Sequence, residues 1–275
     1  MLLNPNKTLS LAVMSGKGGV GKTNLALNTA YALHHAGKQV LLMDCDLGLA
    51  NLDVLLGLSP ESNLQDILRS NVRASDVVTA IENKGLDLLP AASGAPELVE
   101  MDDDMQELLF NKLVDLVSRY HYLILDLGAG INNTVMSFAS MAQMRLVVIT
   151  SEPTSLTDSY ALIKVLSSQH GVDDYHVIVN EAETPAEAKQ TFNRLAAACD
   201  KFLGIRLKFI GTVRQDDHLP EAVRRQTPLL KLSPSCNAAK DILSLAAKIQ
   251  KYRLDNMEKL AGSPIMRHFP DMEGN

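Results

Sequence analysis

The run Gly16-Lys17-Gly18-Gly19-Val20-Gly21-Lys22-Thr23 holds the residue types that grip a chain of phosphates. It fits G-x-x-x-x-G-K-[ST] at every fixed position. Glycines let successive backbone N–H groups turn toward one anion. A helix opening at Lys22 would add its positive dipole end. In such a loop Lys22 reaches the β- and γ-phosphates, and the Thr23 hydroxyl takes one position on a Mg²⁺ ion. Lys17 is a second cation inside the turn, where Lys22 already fills the usual role. It reads either as a solvent-facing lysine or as a cation that crosses an interface to phosphate on a partner's nucleotide, as an arginine finger does.

The acids that would complete the site end apolar runs. Asp44 and Asp46 follow Gln39–Met43 and are two residues apart, so on an extended strand end they face the same side. One can serve a metal shell and the other can orient water toward a γ-phosphate. Asp126 follows Tyr122–Leu125 and precedes Gly128-Ala129-Gly130. It can hold Mg²⁺ through a water, or cap a helix from Ile131 onward. Glu152 and Asp158 follow Leu146–Thr150, and Asn180 follows His176–Val179. Asp53 reads as a cap or surface charge. Gly16, Gly18 and Gly21 also satisfy the dinucleotide fingerprint, with Asp44 23 residues beyond Gly21. That reading gives no reason for Lys22-Thr23 or for Asp46.

These residues need elements to position them. Leu9–Met14, Gln39–Met43, Leu86–Leu89, Tyr122–Leu125, Leu146–Thr150, His176–Val179 and Leu207–Gly211 are short apolar runs that read as strands. Several are apolar throughout, as parallel strands covered on both faces are. Between them lie helical patterns. One runs from Lys22 to His35 with Gly37 past its end, one through Leu108–Val117, and one through Leu156–Leu166 to Gly171. Thr184-Pro185-Ala186-Glu187 opens another, and Ala238 to Leu254 forms the last. The alternation predicts an α/β fold, a doubly wound, mostly parallel sheet flanked by helices. In such a sheet ligands bind beyond the carboxyl ends of the strands, which is where Asp44, Asp46, Asp126, Glu152 and Asn180 fall. The expected organisation is one domain over 1–254 and a tail over 255–275.

Net charge is −6, which argues against broad coating of nucleic acid. Arg224, Arg225 and Lys231 read as a solvated face. The three cysteines, Cys45, Cys199 and Cys236, show no C-x-x-C spacing, as expected of a reduced, cytoplasmic chain that is not an iron–sulfur scaffold. The start lacks a signal-peptide core, and no run approaches a membrane span.

Lys17 to Thr23, then Asp44-Cys45-Asp46-Leu47-Gly48-Leu49-Ala50-Asn51-Leu52-Asp53, then Asp126-Leu127-Gly128-Ala129-Gly130, resemble the MinD/ParA group of deviant phosphate-loop ATPases. More narrowly, Leu49–Leu58, Pro90-Ala91-Ala92-Ser93-Gly94 and Glu152–Lys164 look like the FlhG (FleN) branch, which limits flagellar number and placement. The resemblance covers roughly 8–254. It implies ATP with Mg²⁺ as cofactors, slow hydrolysis, and a face-to-face homodimer with both nucleotides at the interface. It assigns Lys17 to cross the dimer, Glu152 to answer that lysine at the dimer face, Asp46 to position the attacking water, Asp126 to the metal shell and Asn180 to the adenine. Gly211-Thr212-Val213-Arg214 stands where relatives usually carry proline near the base, so Arg214 and Asp216 are the expected neighbours of adenine. Implied partners are a flagellar regulator or a rotor-base protein, and a signal-recognition-type GTPase. A strand beginning at Leu9 leaves no room for the N-terminal helix that some members use toward that GTPase. Relatives also end in an amphipathic helix that binds membrane. Here the tail carries Pro264 and Pro270 and more acids than bases, which supports only weak, reversible contact at the inner membrane. Partitioning of the ParA type and septum placement of the MinD type are the alternative outputs.

Overall fold

The computed structural model describes residues 4–46, 50–69, 71–91 and 103–265. Eight strands form one sheet: β1 (Leu9–Ser15), β2 (Val40–Cys45), β3 (Thr79–Glu82), β4 (Leu86–Leu89), β5 (Tyr122–Ala129), β6 (Met144–Ile149), β7 (His176–Ala182) and β8 (Lys208–Arg214). Their order is β3-β4-β2-β5-β1-β6-β7-β8, and every pairing is parallel except that of β3 with β4. The doubly wound sheet expected from the alternation is present. Its unforeseen member is β3, a partly exposed antiparallel edge strand.

Every residue of β1, β2 and β6 is buried. Along β1 the side chains alternate between two apolar layers. Leu9, Leu11 and Val13 face α1 (Lys22–His35) and the last long helix, Asn237–Asp255, through residues such as Leu27, Leu33, Ile242 and Ile249. Ala12 and Met14 face the opposite layer, which contains Leu113, Phe138, Ile163 and Leu195. Burial on both faces explains why these strands read as unbroken apolar runs.

The helices start and stop where their termini are satisfied. In chain order after α1 they are α2 (Leu52–Leu56), α3 (Asp103–Val117), α4 (Asn133–Met141), α5 (Pro153–His170), α6 (Pro185–Leu203), α7 (His218–Arg224), α8 (Leu229–Leu232) and α9 (Asn237–Asp255). Proline opens α5 and α6 at the position where a missing N–H costs nothing, and Gly171 and Gly204 close them in the left-handed conformation. The Thr184 hydroxyl accepts the Glu187 N–H at 3.1 Å, as the capping pattern predicts, while the Glu187 carboxylate takes the N–H of Glu183. The helix after β5 is α4, and its cap is Asn132, not Asp126.

Packing against the sheet layers continues past residue 254. Leu260 is buried in the layer of α1 and α9, and its carbonyl accepts from the Asn4 amide at 2.7 Å. Ile265 packs against the opposite layer, beside Met43, Leu113 and Phe138. Of the expected tail, 266–275 lie outside the described residues, as do 47–49 and 92–94 of the family motifs.

Candidate functional site

The phosphate loop joins β1 to α1, and its surroundings explain its glycines. A Cβ on Gly16 would lie 2.1 Å from the backbone of Asp158, so the loop presses directly on the first turns of α5. Gly19 and Gly21 have φ of 78° and 85°, a left-handed conformation that favours glycine. A Cβ on Gly21 would also meet the Asn180 amide nitrogen at 2.3 Å. The Ser15 hydroxyl donates to the Lys17 carbonyl at 2.6 Å and fixes the turn from within. Gly21 caps α1 with no side-chain acceptor, so the first N–H groups of the helix open onto the loop. Gly18 and Val20 complete the cradle.

Lys22 is buried in the first turn of α1. Desolvation lowers its pKa, and the charges of Asp126 and Asp46 oppose that shift. Thr23 follows it and lies beside Asp126.

The three acids divide by what already occupies them. Asp44 and Asp126 sit side by side in the register of β2 and β5. Asp44, an expected metal ligand, is already held by backbone N–H groups. It accepts from Asp46 N–H at 3.0 Å, from Asn51 N–H at 3.0 Å and from Leu52 N–H at 3.1 Å. Burial pushes its carboxyl up to about 6, with those three N–H groups pulling the other way. Asp126 is 1% exposed, and neither of its oxygens completes a hydrogen bond. Burial, then the charge of Asp44, raise it to about 7, against the nearby Thr23 hydroxyl and Lys22. A buried carboxylate with unsatisfied oxygens beside a threonine hydroxyl is a donor set that a hard cation would satisfy. Asp46 lies partly exposed just past β2. Its carboxylate leans over Gly128, where a Cβ would stand 3.3 Å from its Oδ1. Asp44 and Asp46 thus share an edge but differ in use. Asp44 ties down the chain after β2, and Asp46 remains at the mouth.

Lys17 does not point into open solvent. Its ammonium is paired with Glu152 and donates to the Thr154 hydroxyl at 3.0 Å, both at the start of α5 of the same chain. That pair sits on the surface, with the Glu152 side chain 60% exposed, and Lys17 holds the Glu152 carboxyl below its usual range. Thr154 was not singled out in the sequence. Its place just beyond Glu152-Pro153 becomes meaningful only once the helix start faces the loop.

Asn180, expected near adenine, is 2% exposed, and its amide donates to the Val20 carbonyl at 2.9 Å. It braces the loop from β7. Arg214 is turned toward α9. Its guanidinium is bound by Asp241 through two contacts of 2.8 Å, and the Arg214 N–H reaches the same carboxylate. Asp216 is also tied to α9, accepting the Ala238 N–H at 3.1 Å. Asp53 accepts the N–H of its neighbour Val54 at 2.7 Å. Two of the three basic surface residues are in ion pairs, Arg225 with Glu221 and Lys231 with Glu82. Among the described residues no helix is long and apolar enough to cross a membrane.

A family model for the CobQ/CobB/MinD/ParA nucleotide binding domain matches residues 11–229. The antiactivator FleN of Pseudomonas aeruginosa is 38% identical over 244 residues, 89% of this chain and 87% of that protein. The flagellum site-determining protein YlxH of Helicobacter pylori is 33% identical over 236 residues, 84% and 78% of the two chains. The fold matches the cell division ATPase MinD of Pyrococcus furiosus with a TM-score of 0.73 at 24% identity, covering 89% of this chain and 99% of that one. It also matches Aquifex aeolicus MinD, in its complex with MinC, at 0.70 and 28% identity, over 89% and 96%. The family model and these long, similar relatives place the chain in the CobQ/CobB/MinD/ParA nucleotide-binding family.

Proposed function

We propose that the chain is an ATP-driven switch that sets the number or placement of flagella. The observation that carries this reading is the identity with FleN along nearly the whole domain, together with an intact phosphate loop. Septum-site relatives are similar over less of their sequence or at lower identity, which favours the flagellar output over septum placement or partitioning.

In this reading the loop backbone, Lys22 and the N-terminus of α1 hold the phosphates of ATP. Thr23 and Asp126 hold Mg²⁺, which would neutralise charge on the β- and γ-phosphates when bound. Asp44 supports that shell from behind by fixing the chain after β2. Asp46 orients the attacking water. Asp216 and Asn180 border the base. Lys17 is the residue that reports a second protomer. Its partner Glu152 belongs to an exposed face, so the pair can be exchanged for contacts across an ATP-dependent homodimer at the modest cost of a surface ion pair. Loss of the γ-phosphate then reverses the dimer. The output is a change of affinity for a flagellar regulator or a rotor-base protein, because only a partner that binds the two states unequally reads the switch. Work as a peripheral cytoplasmic protein follows from the same reading.

The test combines a biochemical arm and a cellular arm. Lys22→Ala should lose the rise in melting temperature that ATP·Mg²⁺ gives the wild type. Asp46→Ala should keep that rise, accumulate as a dimer in ATP and turn over little. In cells, deletion should change flagellar number, and Asp46→Ala should misregulate it in a different way. Normal flagella with misplaced septa or chromosomes would reject the flagellar output and leave the ATPase intact.

A further inference from the structure

We propose that Asp216, His218 and Cys236 form a binding site for one divalent transition-metal ion of the zinc type, separate from the Mg²⁺ position at the phosphate loop. Their donor atoms all lie within 4.8 Å of one another, drawn from the loop after β8, the start of α7 and the cap of α9. Among the described residues this is the one cluster of three histidine, cysteine or carboxylate donors so close together.

The donor set distinguishes this place from the phosphate loop. There the candidates are oxygen atoms, which suit a hard cation. Here oxygen, imidazole nitrogen and sulfur converge, the mixture that borderline-soft Zn²⁺ prefers. Three protein ligands leave a fourth position for water, and the His218 side chain, 51% exposed, leaves that position open to solvent.

The cysteine is otherwise a poor choice for its position. Cys236 caps α9, accepting the Ala239 N–H at 3.4 Å. Sulfur is a weak acceptor, and serine would cap the helix better. A thiolate ligand gives the sulfur a use that a hydroxyl lacks. A helix N-terminus alone repels a cation, so the site depends on its two anionic donors. Arg214, the cation next to this loop, is drawn off by Asp241.

The arrangement needs a small adjustment to close on a metal. Bonds of about 2.0–2.3 Å at tetrahedral angles put donors roughly 3.5 Å apart. Asp216 Oδ1 and His218 Nδ1 are now 2.6 Å apart, in direct contact. Opening that contact requires rotation of the His218 side chain, which is half exposed, and of Cys236, while the Asp216 side chain, 8% exposed, stays held by the Ala238 and His218 N–H groups. An ion held there would pin the β8–α7 connection to the start of α9, at the edge of the sheet that carries the phosphate loop.

The experiment uses the full chain without nucleotide, with Mg²⁺ in excess to occupy the oxygen-only acids. The protein is loaded with Zn²⁺, desalted, and its metal content measured; Co²⁺ loading is read by absorption. The wild type and a remote control, His35→Ala, should retain one Zn²⁺ per chain and show a thiolate-to-cobalt charge-transfer band. Cys236→Ser preserves the helix cap, so it should fold normally, lose the band and bind Zn²⁺ more than about tenfold more weakly. His218→Ala should lose Zn²⁺ to a similar degree. No stoichiometric Zn²⁺ in the wild type, or equal Zn²⁺ in the wild type and either variant, would overturn the site.

Discussion

At the scale of single residues, the phosphate loop is nearly spelled out in the chain, because backbone geometry demands glycine at fixed positions and chemistry demands lysine and threonine after them. The acids are less legible. Spacing showed that Asp44, Asp46 and Asp126 share an edge. It did not show that Asp44 accepts the N–H groups of Asp46, Asn51 and Leu52 while the Asp126 oxygens stay unsatisfied. Those N–H groups come largely from the segment after β2, whose path no local pattern discloses. The difference predicts a pH effect. An acid whose pKa is raised in the fold binds its proton more tightly there than in the unfolded chain, so its contribution to stability falls as pH rises from the unfolded value toward the folded one. For Asp126 that window runs from 3.8 to about 7. The contribution of Asp126 to the melting temperature of the nucleotide-free protein should therefore fall between about pH 4 and about pH 7. Asp126→Asn should lose less and be the more stable of the two at the upper end, by about 2–4 °C for each kcal/mol relieved. The same variant should forfeit the Mg²⁺ dependence of ATP binding. The difference between the profiles reports Asp126 together with its coupling to Asp44; superimposable profiles would show that its charge is not strained.

At the scale of elements, the long buried strands and the capped helices were readable because period, proline and glycine all agree at their ends. The misses share a cause. Strand β3 is short and partly exposed, and α2 and α8 have five and four residues, so none repeats its apolar pattern often enough to stand out. More consequential for the site is how α5 abuts the loop, which no local signal reports. Gly16 is a fixed position of the motif and Gly18 is not, and their surroundings differ as well. A methyl group on Gly16 would overlap the Asp158 backbone at 2.1 Å, whereas one on Gly18 would only touch the Ala129 side chain at 3.9 Å. Gly16→Ala should thus displace α5 from the loop and cost about 1–3 kcal/mol, as overpacking does. Gly18→Ala should stay within about 0.5 kcal/mol of the wild type, as substitutions without such a clash do. Denaturation of both variants without nucleotide checks this, since ligand affinity then plays no part. Equal loss in the two would mean that the motif's glycines matter for loop flexibility and not for the contact with α5.

At the scale of the whole molecule, the question left open by the residue pattern was where the domain stops. Prolines and scattered apolar residues after Leu254 suggested a tail, with membrane contact as one use for it. Part of that stretch has a packing role. Leu260 is 2% exposed among the side chains under α1 and α9, its carbonyl is held by Asn4, and Ile265 reaches the other layer. The signal was hidden because two isolated apolar residues fill gaps bordered by elements far earlier in the chain, α1 for Leu260 and Met43, Leu113 and Phe138 for Ile265. If the segment is part of the core, Leu260→Ala should destabilise the protein by about 2–4 kcal/mol, the transfer loss plus a cavity that the sheet cannot collapse to fill. It should do so equally with and without lipid vesicles. Asn4→Ala should cost about 1–3 kcal/mol, since it strips hydrogen bonds from the Leu260 carbonyl and from the carbonyl and N–H of Thr8. Urea unfolding measures both. A change under about 0.5 kcal/mol for Leu260→Ala, the range of ordinary surface substitutions, would restore the boundary at 254 and return the whole segment to the role of a tail.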